Sequence, residues 1–310
     1  MQRLSQLASK KTPFLFYTDF DANQTHVYTL DELEDEDIEF SFNNKDYHKH
    51  SHTLVKYPQD FKTYKKGFDA IIEKIKSGET YLLNYTCATP IKTVLSLKEI
   101  YACANAPYKL RIKDELVCFS PERFITIDKN NTIHTYPMKG TIDASVDNAQ
   151  AKILANAKEM AEHIMVVDLL RNDLSMVANE VKVSRFRYID KIQAGEKELL
   201  QVSSEISGRL HDTWRNELGN ILATLLPAGS ISGTPKKRTL EIIQETESQP
   251  RHFFTGVFGY FDGETFDSAV MIRFIEKNKD GLVYKSGGGI TLDSDAASEY
   301  QEMLDKIYLP

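Results

Sequence analysis

Apolar residues recur along this chain with two periods, and the points where one gives way to the other divide it into elements. Thr12 to Thr29 alternates apolar and polar positions around Phe14-Leu15-Phe16-Tyr17, which predicts a strand and a hairpin return. Asp31 to Asp46 is acidic and weakly periodic and reads as an exposed connection. From Gln59 to Lys76 the period turns helical, with Phe61, Tyr64, Phe68, Ile71, Ile72 and Ile75 on one face and Gly78 as the stop. Tyr81 to Thr86 then reads as a strand and Leu97 to Ala104 as a helix. Leu110 to Thr135 reads as strand runs parted by Lys113-Asp114 and by Lys129-Asn130-Asn131.

A long helix is expected from near Asp147, followed by strands over Val181 to Tyr188 and Glu198 to Gly208. Asn216 to Leu226 and Lys236 to Glu245 read as helices on either side of a Gly/Ser turn. Phe253 to Phe261, Thr265 to Ile275 and Leu282 to Ser286 read as strands, and Ala296 to Ile307 as a closing helix. Helices and strands mix without regular β-α alternation, and tight turns join several strands. That predicts an α+β fold with mostly antiparallel sheets rather than a doubly wound parallel one. With no Pro/Gly/Ser-rich linker and no repeat, a single domain is expected. Residues 1–55 would be a short N-terminal strand and hairpin region of it, and 56–310 its main body.

The long helix holds the first sign of chemistry. Its apolar stripe runs through Ile153, Leu154, Ala157 and Ala161 to Met165, Val166 and Leu169, and Glu162 points to the side of Met165 and Val166. A carboxylate leaning toward a core costs several kcal/mol unless it is paired, protonated or bound to a metal. A lone Glu ordinarily escapes to water at the rim. The polar knot of Asp168, Arg171, Asn172 and Asp173 just after it shifts the balance toward a use.

Composition narrows the class. The chain is 41% hydrophobic and 27% charged, with net charge −7 from 38 basic and 45 acidic residues. No apolar run approaches the ~20 residues that span a bilayer, and Met1 to Lys11 is polar and basic without a signal core. The 3 cysteines, Cys87, Cys103 and Cys118, lack metal-ligand spacing. A cytoplasmic protein with reduced thiols is expected. The acidic balance argues against nucleic-acid and anionic-membrane partners, and leaves room for a local basic pocket.

Pro137-Met138-Lys139-Gly140-Thr141 is expected to leave a strand and enter a loop, where a solvated lysine is the ordinary reading. Lysine is a nucleophile only when its pKa falls from ~10.4 through burial or nearby positive charge. Ser120 to Phe124 lies one strand earlier; if the two segments pair as a hairpin, Glu122 and Lys139 share a pocket. Pro227 to Lys237 is a glycine- and hydroxyl-rich turn opening a helix, which suits an anion as well as it suits a simple cap. It is not a P-loop, because Gly229 and Gly233 are too close and Pro235 precedes the lysine. Gly287-Gly288-Gly289 permits close backbone approach to a ligand, or marks a bulge. Arg273, amid Val270, Ile272 and Phe274, needs a carboxylate if it points inward and is ordinary if it points outward. Glu299, Glu302 and Lys306 share one side of the last helix, normally an exposed charged face. A second inward carboxylate beside Glu162 would instead make an oxygen-rich Mg²⁺ site.

Taken in order, these stretches are specific. Glu162-His163 with Val167-Asp168-Leu169-x-Arg171-Asn172-Asp173, Pro227-Ala228-Gly229-Ser230 with Gly233-x-Pro235-Lys236, Gly256 with Gly259-Tyr260-Phe261, Ile272-Arg273, and Gly287-Gly288-Gly289-Ile290 leading to Glu299-Tyr300, Glu302 and Lys306 closely resemble the chorismate-utilising enzymes. The likeness runs from about Tyr64 to the C-terminus, with Gly78-Glu79-x-Tyr81-x-x-Asn84 as a weaker early element.

The resemblance implies two large, mostly antiparallel sheets packed as a sandwich with helices outside. Lysine at 139 is similar to the aminodeoxychorismate synthases, where anthranilate synthases usually carry alanine. It implies conversion of chorismate and ammonia to 4-amino-4-deoxychorismate, on the way to 4-aminobenzoate and folate, through a covalent adduct on Lys139. Glu122 would be the general acid/base. Glu162 and Glu302 would hold Mg²⁺ with Glu299 as a further member. Thr141, Tyr260, Arg273, Lys306 and the backbone of Gly287, Gly288 and Gly289 would bind substrate. Ammonia would come from a glutamine amidotransferase partner. Gln201 stands about where the family commonly has a histidine associated with pyruvate elimination, which favours a product that keeps its enolpyruvyl group. Less sequence precedes Tyr64 than in larger members, so no tryptophan feedback pocket is expected. No lyase segment follows Pro310, so 4-aminobenzoate formation would need a separate protein. The alternatives are an anthranilate synthase, distinguished by its product, and a catalytically silent chorismate- or partner-binding subunit. Joint retention of Glu122, Lys139, Glu162 and Glu302 argues against the silent subunit.

Overall fold

The structure, a computed structural model, describes residues 1–43, 53–194 and 197–309. The chain opens on a helix that the polar look of Met1 to Lys11 conceals, α1 (Gln2–Ser9), whose Leu4 and Ala8 are fully buried. Strands β1 (Phe14–Thr18) and β2 (Thr25–Thr29) form the expected hairpin. Asp31 to Asp46 is more than a connection. A capping box between Thr29 and Glu32 starts α2 (Leu30–Leu33), and β3 (Ile38–Phe42) follows; residues 44–46 lie outside the described residues. After β4 (Val55–Lys56), the Asp60 carboxylate caps α3 (Phe61–Lys76), which buries Tyr64, Phe68, Ile71 and Ile75 as its period requires.

Next come β5 (Leu82–Lys92), α4 (Leu97–Cys103), β6 (Tyr108–Ile112), β7 (Leu116–Ser120), β8 (Arg123–Ile127), β9 (Thr132–Thr135) and β10 (Met138–Asp143). Lys139 therefore lies on a strand, not in a loop: β10 pairs with a strand far along the chain, which local sequence does not reveal. The expected long helix is two, α5 (Ala149–Ala155) and α6 (Ala157–Ser175). Asn156 between them is extended and its side chain accepts the Glu159 N–H, capping α6. The remainder is β11 (Asn179–Ala194), β12 (Lys197–Arg209), α7 (Trp214–Leu225), β13 (Gly233–Thr234), α8 (Lys236–Thr246), β14 (Val257–Phe261), β15 (Phe266–Val270), β16 (Phe274–Asn278), β17 (Gly281–Ile290) and α9 (Ala296–Asp305).

Two antiparallel sheets form a single domain. The 9-stranded sheet runs β10-β12-β9-β8-β15-β14-β1-β2 with β11 on β12, and the 8-stranded sheet runs β13-β5-β17-β16-β7-β6-β3 with β4 on β5. Leu15, Tyr17 and Phe258 of the first sheet meet Leu110, Cys118 and Phe274 of the second in one apolar core. A larger core joins Phe16, Val257 and Phe261 to Trp214, Leu218 and Leu222 of α7 and to Tyr64 and Phe68 of α3. The three cysteines are free thiols. Among the described residues no helix is long and apolar enough to cross a membrane.

Two crossovers between the sheets position the site. The chain leaves the second sheet for the first between β7 and β8, at Pro121-Glu122, and returns between β15 and β16, at Met271-Ile272-Arg273. Thr265 to Ile275 is thus not one strand; Arg273 at φ +52° turns the chain out of one sheet and into the other. The crossovers hold each other: Val270 N–H donates to Glu122 O (3.1 Å) and Phe119 N–H to Arg273 O (3.1 Å).

Candidate active site

Where the crossovers meet β10, the glycines of β17 and the end of α9, a cavity of about 250 Å³ opens. Glu122, Lys139, Thr141, Arg273, Gly287, Gly288, Gly289, Glu302 and Lys306 all line it. Residues spread from 122 to 306 thus converge because each stands at a sheet crossing, a strand end or a helix end.

Glu122 accepts a hydrogen bond from Ser230 Oγ (2.6 Å). Burial pushes its carboxyl above the usual range, although the Ser230 bond and the nearby charges of Lys139, Arg273 and Lys306 pull the other way. Lys139 Nζ lies 3.5 Å from Glu162 Oε2. A Cβ built on Gly289 would stand 3.2 Å from that same Nζ and from Leu82 Cδ1, so a side chain there would crowd the lysine. Glu122 and Lys139 do share a pocket, but not as a hairpin: β8 pairs with β9, and β10 with β12.

Glu162 of α6 and Glu299 of α9 sit behind the lining, and Glu159, which sequence reading passes over, joins them. Each predicted metal ligand faces a lysine: Lys139 at Glu162, Lys158 at Glu299 (3.7 Å) and Lys306 at Glu302 (2.7 Å). Burial raises the Glu159 carboxyl, and the neighbouring Glu162 raises it further. Burial likewise raises Glu299, against the opposing bond from Ser294 Oγ (2.8 Å). Burial also tends to raise Glu302, but the ammonium groups of Lys306, Lys139 and Lys158 together hold it below the usual range. Burial lowers the ammonium of Lys306, whose Nζ also donates to Gly287 O (2.8 Å).

Among the described residues no group of three acid, His or Cys side chains is closed around a metal-sized space. The donor chemistry nevertheless fits a hard divalent cation. These carboxylates lie in one another's field, and lysines now offset part of their mutual repulsion.

Arg273 points inward. Its Nε donates to Tyr308 Oη (3.3 Å), and among the described residues it has no carboxylate within ion-pair distance. The carboxylate that an inward arginine calls for is therefore not supplied by the described protein. Gln201 also lines the cavity, from β12 beside Thr141.

Tyr260 does not reach the cavity. Along β14 a Cβ at Gly259 would face Phe16, so Tyr260 faces the opposite side and packs on Phe40 (5.4 Å) and Phe42 (6.2 Å). Phe254 lines the cavity from the preceding turn. The polar knot of α6 also divides. Asp168 and Arg171 form a surface pair (2.7 Å) and Asn172 is exposed, while only Asp173 is buried, bonded to Lys236 (2.9 Å). Lys236 ties α8 to α6 and to Leu225 O (3.2 Å) instead of facing the cavity; its turn contributes Ser230 and Ile231 to the cavity.

Sequence reasoning quotes His163 within a motif but gives it no role, and it passes over Tyr284 and Lys285. His163 is fully buried with Nε2 2.7 Å from Ser204 Oγ; burial, then the charges of Arg187 and Lys139, lower it to about 4. Its place beside Glu162 was the available signal. Lys285 lines the cavity, but Glu276 (2.9 Å) and Arg251 O (3.0 Å) hold its ammonium. Tyr284 sits in an apolar strand run and gives no sequence signal at all.

Residues 4–309 match the family described as chorismate binding enzyme. An uncharacterized PabA-like protein of Haemophilus influenzae is 46% identical over 315 residues, covering 100% of this chain and 96% of that protein. Aminodeoxychorismate synthase component 1 of Salmonella typhimurium is 38% identical over 260 residues, covering 79% of this chain but 56% of that protein. The chain thus matches little more than half the length of that relative. Among solved structures, the menaquinone-specific isochorismate synthase MenF of Escherichia coli is similar at TM-score 0.67 and 17% identity, over 99% of this chain and 90% of that one. At that identity the likeness speaks to the fold alone.

Proposed function

This chain belongs to the chorismate binding enzyme family, and from that membership we propose that it converts chorismate and ammonia to 4-amino-4-deoxychorismate. The observation that carries the reading is the placement of Lys139 and the half-buried Glu122 on one cavity, beside an arginine that among the described residues lacks a carboxylate partner. The Lys139 amine bonds to ring C2 as both ring double bonds shift, C1=C2 to C1=C6 and C5=C6 to C4=C5, and the C4 hydroxyl departs, taking the Glu122 proton to leave as water. Ammonia then bonds to C4, both double bonds shift back, and Lys139 leaves as a neutral amine. The proton that the new C4 ammonium sheds restores Glu122.

Arg273 and the backbone N–H groups of Gly287 to Gly289 bind the enolpyruvyl carboxylate, with Thr141 and Lys306 on the same wall. Glu162 and Glu302, with Glu299 beside them, would hold Mg²⁺, whose charge would neutralise the ring carboxylate. Gln201 presents an amide, not a base, so no ring proton beside C3 is removed and pyruvate is retained. A glutamine amidotransferase partner supplies ammonia, and free ammonium replaces it in vitro.

The test is mass spectrometry of products from chorismate, Mg²⁺ and ammonium, with Lys139→Ala alongside. Wild type is expected to give aminodeoxychorismate, lost or greatly slowed in the variant. Anthranilate with released pyruvate from wild type would overturn the reading. Because Glu122 must start protonated and burial raises its pKa, the rate is expected to fall as pH rises through that value.

A further inference from the structure

Tyr284 is buried without a purpose that the fold supplies. It lies on β17 opposite Ile275 and Thr89, is 0% exposed, and sets its ring edge-on to Phe119. Its Oη has no hydrogen-bond partner among the described residues, yet the residue lines the cavity. The Tyr308 backbone N–H is a polar neighbour, but it does not meet hydrogen-bond geometry. Phenylalanine would fill the same space without stranding a hydroxyl, so the fold alone gives no reason for tyrosine.

The second observation is what stands beside it. Arg273 lines the same cavity, and among the described residues only its Nε is engaged, by Tyr308 Oη. Burial keeps the phenol protonated and therefore a donor. An open guanidinium fork and an orphan O–H donor, carried by two residues of one cavity lining, suit an acceptor that offers several lone pairs and a negative charge. A carboxylate has both: it takes two guanidinium bonds and still accepts a third.

We propose that Tyr284 Oη donates a hydrogen bond to the same substrate carboxylate that Arg273 binds, making it a substrate-binding residue. This rests on the reading of the cavity as a chorismate site. The hydroxyl is a deferred partner, unsatisfied in the empty protein and satisfied on binding.

The test is calorimetric titration of chorismate, at fixed Mg²⁺ and without ammonia, into wild type, Tyr284→Phe, Arg273→Lys and the double variant. Melting temperatures are taken on the same samples. Tyr284→Phe is expected to weaken binding about tenfold, as loss of a hydrogen bond to a charged acceptor does. Its melting temperature should be unchanged or higher, because no bond of the empty protein is lost. The double variant should bind more tightly than the product of the single effects predicts, since both donors serve one carboxylate. Unchanged affinity in Tyr284→Phe, with wild type binding normally, would overturn this inference and leave the proposed function standing; a water satisfying the hydroxyl would give that result. Fully independent losses would overturn the shared carboxylate. Failure of wild type to bind chorismate would overturn the proposed function and this inference together.

Discussion

Arg251 and Arg273 stand on either side of β14 and β15, and both are drawn in from the surface, yet their surroundings are opposite. Every nitrogen of Arg251 is used: Nε and Nη2 bond Glu247 (2.9 and 2.7 Å), Nη1 bonds Ile231 O (2.8 Å), and Nη2 also bonds Asn84 O (2.6 Å). Glu247 in turn accepts from Thr86 N–H and Oγ1 (2.9 Å each). Arg273 donates to one tyrosine and leaves its fork to the cavity. The difference separates two uses of an inward-pointing charge. Arg251 is closed over protein and holds two cavity-lining segments, Asn84 and Ile231, in place; Arg273 is closed only by something that enters.

Breaking the closed network should have the largest effect. Arg251→Met leaves the Glu247 carboxylate and two backbone carbonyls without their cation. Breaking such a pair costs about 3–5 kcal/mol, read as a lower urea midpoint with an unchanged slope. Any loss of activity should track the unfolded fraction. If Arg251→Met were as stable as wild type and only chorismate binding suffered, the division between the two arginines would fail.

Arg273→Lys should reverse that pattern. It keeps the charge and removes the fork, so chorismate affinity is expected to fall roughly 10- to 100-fold, while unfolding free energy changes by no more than about 0.5 kcal/mol. Titration and denaturation of one preparation decide it. A variant that unfolds early without losing affinity would make Arg273 a structural residue.

The two arginines also mark how far sequence reading reaches. Strong local periodicity made the fold legible where it exists: Tyr64, Phe68, Ile71 and Ile75 on α3, and the alternation of β1 and β2. It failed where an element depends on a remote partner. Strand β10 is held by β12, β3 by β6, and α1 by the fit of Leu4 and Ala8 into the large core. Motif wording placed Glu122, Lys139, Arg273 and Glu302 on one cavity, but could not say that Arg273 is the crossover residue at φ +52°. Tyr260 was misplaced for a related reason. Period-2 alternation tells which residues share a face, not which face meets the cavity and which meets Phe40 and Phe42. Tyr284 was invisible because a tyrosine among apolar strand residues reads as packing. Only its unpartnered oxygen distinguishes it.

A third arginine separates saturation from burial. Arg238 is as fully engaged as Arg251, bonding Glu79 (2.9 and 2.5 Å), Glu241 (2.7 Å) and Glu245 (3.2 Å), with Lys74 also on Glu79 (3.2 Å). Its side chain, however, is 32% exposed, where that of Arg251 is 2% exposed. Solvent screens such pairs, so Arg238→Ala should have the smallest effect of the three and leave chorismate binding alone. The network still leaves a trace in pH. Arg238 first, then Lys74, lower Glu79 from 4.5 to about 2 in the folded protein. A depressed carboxylate contributes stability that is present above its unfolded pKa and is lost as pH falls through the folded one. Wild type and Arg238→Ala should therefore differ in melting temperature at neutral pH and converge as pH drops from 4.5 toward 2, and converge likewise in about 1 M salt. If Arg238→Ala instead matched Arg251→Met, the number of bonds alone would set the cost, and the contrast between a closed buried arginine and an open one would lose its physical basis.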